Sequence, residues 1–144
     1  MHTRLADKQP AGSRLCRGAL DVAYGSPQPS PVVGKIVTSA AAIDVTIDGL
    51  AGGSVEILGN VTSGFEVLGA DKMWHYCPIT ASDASSVTVG KLPDGATAIR
   101  YLWYGAPCGN AHPYQCPVYA KVAPIGALSG QFDYLPLGPF ITEL

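Results

Sequence analysis

Residues 100–119, "RYLWYGAPCGNAHPYQCPVY", gather the side-chain types best suited to chemistry: Cys108 and Cys116 stand seven residues apart with His112 midway, and aromatics crowd both flanks. Three chemistries fit those types. A zinc site would place cysteines two to four residues apart and supply four ligands, and His112 completes no such set unless His75 or Cys77 folds in. A thiolate nucleophile needs a helix N-terminus or a cationic neighbour to lower its pKa, and a strand-to-loop context offers neither clearly. A disulfide closing a loop that contains Gly109, Asn110 and Pro113 is the favoured reading, and by the chain-entropy estimate it would stabilise the fold by roughly 2.5 kcal/mol.

The remaining candidates read as structure. Cys16 lies beside the apolar stripe of a helix, where a buried free thiol is expected. Cys77 leaves its pairing open. His75 alternates with Trp74 and Tyr76 in "WHYCPI" and reads as an exposed or hydrogen-bonded strand histidine. Asp44 and Asp48 share a strand face near a turn, so solvated carboxylates explain them better than acid–base catalysis. Trp103 and Tyr104 end a strand and read as core or rim packing, although a sugar could stack on them. No Gly-x-Ser-x-Gly elbow, His-Glu-x-x-His pair or phosphate-binding glycine loop occurs. On residues alone, no complete active site assembles.

The elements that must position these residues follow from composition and period. The 144 residues are enough for one domain with a real core. Charged residues make up only 14% of the chain, while 17 glycines and 12 prolines favour many short strands over long helices. Net charge is −2, and no cluster of lysine and arginine interleaves with aromatics, so neither nucleic acid nor an anionic membrane is expected as a partner. No apolar run has the length to span a bilayer, and the N-terminus lacks the apolar segment of a signal peptide. The Cys108–Cys116 pair and the sequon Asn60-Val61-Thr62 nonetheless suit an oxidising, extracellular compartment, with Asn60 as a glycosylation candidate. That mismatch suggests an incomplete chain.

Residues 7–25 predict the one helix. Asp7 serves as N-cap, Pro10 falls in the first turn, and Gly25 stands at the left-handed C-cap. Leu15, Ala19, Val22 and Ala23 form an apolar stripe that needs a partner surface, with Arg14, Arg17 and Asp21 off it. "SPQPSP" at 26–31 reads as a short stiff linker. From Val32 onward the period is two: Ile43, Val45 and Ile47; Val55 and Ile57; Phe65 and Val67; Val87 and Val89; Ile99, Tyr101 and Trp103. Turn signals such as Asp48-Gly49, Gly69-Ala70-Asp71 and Pro93-Asp94-Gly95 separate them. The expected fold is mainly β, an antiparallel β-sandwich preceded by one N-terminal α-helix. Residues 120–144, apolar but irregular, are expected to form a loop and a short edge segment.

Three segments in order resemble the C-terminal portion of the sialate O-acetylesterase family. "DKQPAGSRLCRGALDVAYG" is similar to its Lys-Gln, Arg-Leu, Ala-Tyr-Gly helix, and "TSGFEVLGAD" to its Gly-Phe-Glu-x-x-Gly-Ala-Asp turn. "IRYLWYGAPCGNAHPYQCPVY", with the closing "LPLGPFIT", resembles its Arg-Tyr-x-Trp, Pro-Cys, Gln-Cys-Pro-x-Tyr and Leu-Pro-x-x-Pro-Phe signature. The resemblance runs over nearly the whole chain.

It implies a serine esterase of the SGNH-hydrolase type that removes O-acetyl groups from sialic acid or other glycans, with no cofactor and no metal. The family's catalytic histidine precedes the Lys-Gln helix, so His2 is the residue that could match it, although Thr3 follows and six positions separate His2 from Lys8. The serine and its oxyanion hole would lie upstream of Met1, as would the aspartate. The resemblance thus divides the chain into a terminal hydrolase helix at 1–25, the linker at 26–31 and an accessory β-sandwich at 32–144. An acetylated glycan would be reached through the upstream domain, the full-length protein would be secreted or lysosomal, and this chain alone would be inactive. The competing reading is a stand-alone glycan- or protein-binding β-sandwich with Trp103, Tyr104 and Tyr114 as its aromatic platform.

Overall fold

The computed structural model describes residues 9–58, 64–103, 116–123 and 133–144. The element order is α1 (Gln9–Tyr24), β1 (Val32–Thr38), β2 (Ala42–Asp48), β3 (Ser54–Ile57), β4 (Phe65–Leu68), β5 (Trp74–Cys77), β6 (Ile79–Ser82), β7 (Ser86–Gly90), β8 (Ala98–Tyr101), β9 (Val118–Val122), β10 (Asp133–Pro136) and β11 (Phe140–Glu143). The strands form three antiparallel sheets ordered β1-β2-β7-β6, β10-β9-β3 and β11-β8-β4-β5. The expected mainly β fold with one N-terminal helix is what the chain adopts. No helix among the described residues is long and apolar enough to cross a membrane.

Side-chain alternation explains how the layers meet. In β2, Ile43, Val45 and Ile47 are buried while Asp44 and Asp48 face solvent. The β2–β7 register pairs Ile43 with Val89 and Val45 with Val87, which doubles the apolar row on one face. In the third sheet Phe65 pairs with Tyr101 and Val67 with Ile99, giving the opposing row. One core runs through these rows and through Val55, Val118 and Tyr119 of the second sheet. Phe65, Tyr101 and Phe140 close it with ring centroids 4.6 to 6.2 Å apart.

Three expectations need correction. Residues 120–144 are more than a loop and an edge segment: β9 is the central strand of its sheet, flanked by β10 and β3, and β11 pairs with β8. Val118, Tyr119, Ala120 and Val122 are all buried, so β9 shows no alternation to read. The apolar stripe of α1 does not face the domain, since Leu15 is 77% and Val22 89% exposed. The helix docks by its polar side instead, through Arg17, which is only 4% exposed. Cys16, beside the stripe, is consequently an exposed thiol rather than a buried one.

Glycine geometry fixes how the helix connects to the sheet. Gly25 ends α1 at φ 61°, where its N–H still reaches the Asp21 carbonyl at 3.0 Å and Ser26 reaches back to Leu20 at 3.2 Å. Gly49 sits at φ 73° beside Ser30, whose N–H donates to the Gly49 carbonyl at 2.9 Å. A Cβ at residue 49 would collide with the Ser30 carbonyl, so only glycine fits both the dihedral and the approach.

Candidate functional site

Two of the three segments behind the family resemblance converge in space. Leu102 N–H donates to the Gly64 carbonyl at 2.9 Å, and a Cβ at Gly64 would press on Tyr101, Leu102 and Pro117 within 3.0 Å. The buried Tyr101 hydroxyl accepts from Val118 N–H at 3.1 Å, and the Tyr119 hydroxyl accepts from Cys116 N–H at 3.0 Å. Leu137 N–H donates to the Val118 carbonyl, which ties in the "LPLGPF" segment. These contacts are packing and hydrogen bonding inside a closed core. They anchor the ends of residues 102–116 rather than form a reaction centre.

The third sheet carries a doubly bonded charged pair. Glu66 and Arg100 are cross-strand partners, and Arg100 donates from Nε to Oε2 at 2.8 Å and from Nη2 to Oε1 at 2.9 Å. The guanidinium lies over the Trp74 ring, 4.2 Å from its centroid. Tyr76, opposite Glu66 on β5, is 64% exposed, and Ile141, opposite Arg100 on β11, is exposed as well. The arrangement offers an aromatic face and guanidinium edges, which bind but break no bond. Glu66 and Arg100 sit at polar positions of alternating strands, and only register reveals that they meet.

His75 has a carboxylate partner. Its Nε2 lies 2.9 Å from Asp71 Oδ2 at the edge of β5. The Met73 N–H at 3.0 Å, with help from His75, holds the Asp71 carboxyl below its ordinary range against the opposing effect of desolvation. No hydroxyl or thiol among the described residues bonds to the imidazole, so the pair orients a turn and activates no nucleophile. Asp44 accepts from the Thr88 hydroxyl at 2.7 Å across the strands, in keeping with a solvated surface carboxylate. Cys77 is buried, which pushes its thiol pKa up, and its sulfur lies 3.5 Å from the His75 and Lys91 carbonyls. Such a thiol is a poor nucleophile.

Among the described residues no three His, Cys, Asp or Glu side chains converge as a metal site. His2, Asn60, Tyr104, Cys108, His112 and Tyr114 lie outside the described residues. Cys116 is within them, buried beneath the Tyr119 hydroxyl, and it is not one of the two thiols, Cys16 and Cys77. Trp103 is exposed, and of the expected platform of Trp103, Tyr104 and Tyr114 it alone has a described position.

No family model and no curated protein matches the chain. A solved structure does. The crystal structure of a carbohydrate acetylesterase from Xanthomonas citri superposes with a TM-score of 0.68 and 22% identity, covering 94% of this chain and 28% of that one. The chain therefore shares its fold, nearly end to end, with 28% of the length of a carbohydrate acetylesterase.

Proposed function

We propose that the chain is the C-terminal portion of a carbohydrate O-acetylesterase, consisting of the last helix of a hydrolase domain and an accessory β-sandwich. The observation that carries this reading is the likeness to a carbohydrate acetylesterase over 94% of the chain, where most of that enzyme's length has no counterpart. The exposed stripe of Leu15 and Val22 supports it, because an apolar helix face of this kind is normally covered. The division at 25 and 31 belongs to this reading.

Within it the acetyl ester is hydrolysed by a serine supplied from outside this sequence. The serine attacks the carbonyl, a histidine takes its proton and gives it to the departing sugar oxygen, and a water activated by the same histidine then releases acetate from the acetyl-serine and restores the serine. His2 is our candidate for that histidine, and without serine and oxyanion donors it has nothing to activate. Sialic acid esters are the substrate suggested by the sequence signatures. A Cys108–Cys116 disulfide, glycosylation at Asn60 and a secreted or lysosomal location complete the proposal.

Extending the transcript upstream of Met1 tests it, and the expected result is an open frame through a serine-hydrolase segment. The purified 144-residue chain should leave an aryl acetate intact. Turnover lost on His2→Ala would overturn the claim that the site is incomplete. A stand-alone binding module is the second reading, favoured by the exposed Tyr76 beside the Arg100–Trp74 stack. A glycan array against the isolated chain separates the two.

A further inference from the structure

α1 packs on β10 through very little surface. Among its described side chains only Arg17 is buried and Leu20 half-buried, and the rest are exposed. Little apolar area returns to water when the helix leaves, so its docking depends on one cation. Arg17 Nη2 donates to the Ala123 carbonyl and to Asp133 Oδ2, both at 2.6 Å, and Asp133 is its carboxylate among the described residues.

A guanidinium keeps its charge at every accessible pH, so burying it is tolerable only while a negative charge faces it. Arg17 Nε–H is buried without an acceptor. In water that N–H regains a partner, which favours the undocked helix. Docking thus sets one ion pair against desolvation, and one half of the pair titrates.

The ionisable groups around the pair single out that half. α1 adds Arg14, Cys16 and Asp21, all exposed, while β10 adds Tyr134 and β9 adds Lys121 at the next register position. Residues 124–132 contain no ionisable side chain. Only the two carboxylates change charge between neutral and acid solution, and of them Asp133 holds Arg17.

We propose that the Arg17–Asp133 pair is an acid-released latch: protonation of Asp133 undocks α1 from β10 while the sheets stay folded. The docked helix favours the ionised carboxylate, so docking is complete at neutral pH and is lost as pH falls. The freed helix pivots about residues 26–29, because Ser30 is tied to the Gly49 carbonyl. At 16 residues it is marginal on its own and frays. The latch needs no esterase activity; in the reading proposed above, the helix that acid frees is the one shared by the two domains.

The test is backbone nitrogen-15 relaxation of the 144-residue chain at about pH 7 and about pH 3.5, on either side of the ordinary carboxylate range. Order parameters over residues 14–24 should fall from roughly 0.85 to below about 0.6, with those of β2 and β7 unchanged. Asp133→Asn should show the low values already at neutral pH and no further fall in acid, whereas Asp21→Asn should respond as the parent does. A helix that stays ordered in acid would overturn the proposal. So would an unaltered response in Asp133→Asn, a lost response in Asp21→Asn, or strands that lose order together with the helix.

Discussion

Arg100 grips Glu66 with two parallel N–H to carboxylate bonds of 2.8 and 2.9 Å across the β8–β4 register. The guanidinium is planar and rigid, so the fork matches the carboxylate edge for edge, and Trp74 covers its face. Glu66 is 6% exposed, so removing its partner strands a shielded charge.

Arg100→Met should therefore destabilise the chain by about 2–3 kcal/mol, at the lower end of the cost of breaking a buried pair because Arg100 retains some exposure. Arg100→Lys should rescue little, since an ammonium cannot reproduce the fork. The double variant Arg100→Met with Glu66→Leu should recover much of the loss. Urea midpoints at constant m-value decide among these outcomes, and equal stability of Arg100→Lys and the parent would refute the role of the fork.

Arg17 fastens α1 to β10 through Asp133 and the Ala123 carbonyl. Arg17→Met should release the helix, seen as faster amide exchange over residues 14–24 while the strands keep their protection. Val22→Glu, on the exposed stripe, should change the stability of this chain by no more than about 0.5 kcal/mol. In a longer protein carrying the hydrolase domain, the same substitution should lower soluble yield. Loss of strand protection in Arg17→Met would show that the helix is integral to the β core.

Strands whose two faces differ were legible from the sequence, because period two is written in Ile43, Val45 and Ile47 and again in Phe65 and Val67. β9 was not, being buried on both faces, and β1 was not, because a bulge between Val33 and Ile36 breaks its pattern at the sheet edge. The orientation of α1 misled for a physical reason: an apolar stripe normally faces inward, yet one ion pair at Asp133 turns the polar side of the helix toward the sheet. Glu66, Arg100 and Tyr119 all stand in the signature segments. Their pairings depend on register and on contacts distant in sequence, which local patterns do not encode.

Two turn carboxylates give the acid response a sign. Asp83 accepts the N–H of Ser85 at 2.7 Å, and with the Ser86 hydroxyl at 2.8 Å this holds its pKa below the ordinary 3.8. Asp71 is lowered chiefly by Met73 N–H. A folded pKa below the unfolded one means that the stabilisation is complete above the unfolded value and is lost as pH falls through the folded one. Stability should thus decline as pH drops from about 5 toward 2. In Asp83→Asn, urea midpoints should fall less steeply over that interval, and a slope identical to the parent would refute the assignment.

The cysteines should separate into three classes. Cys16 is exposed on α1 and should react with iodoacetamide in the native chain. Cys77 is buried, its thiol pKa is raised by that burial, and its sulfur is directed at the His75 and Lys91 carbonyls, so it should alkylate only on unfolding. Cys116, beneath the Tyr119 hydroxyl, should stay unmodified even in denaturant until a reductant is added, if it is held by the proposed bond to Cys108. Intact-mass analysis should therefore read one adduct in the folded protein, two on denaturation and four after reduction, accounting for the 4 cysteines of the chain. Four adducts in denaturant without reductant would eliminate the disulfide. Two in the folded state would mean that the β5 edge opens on the labelling timescale, and the core row beneath Phe65 would then be far less protected than its packing implies.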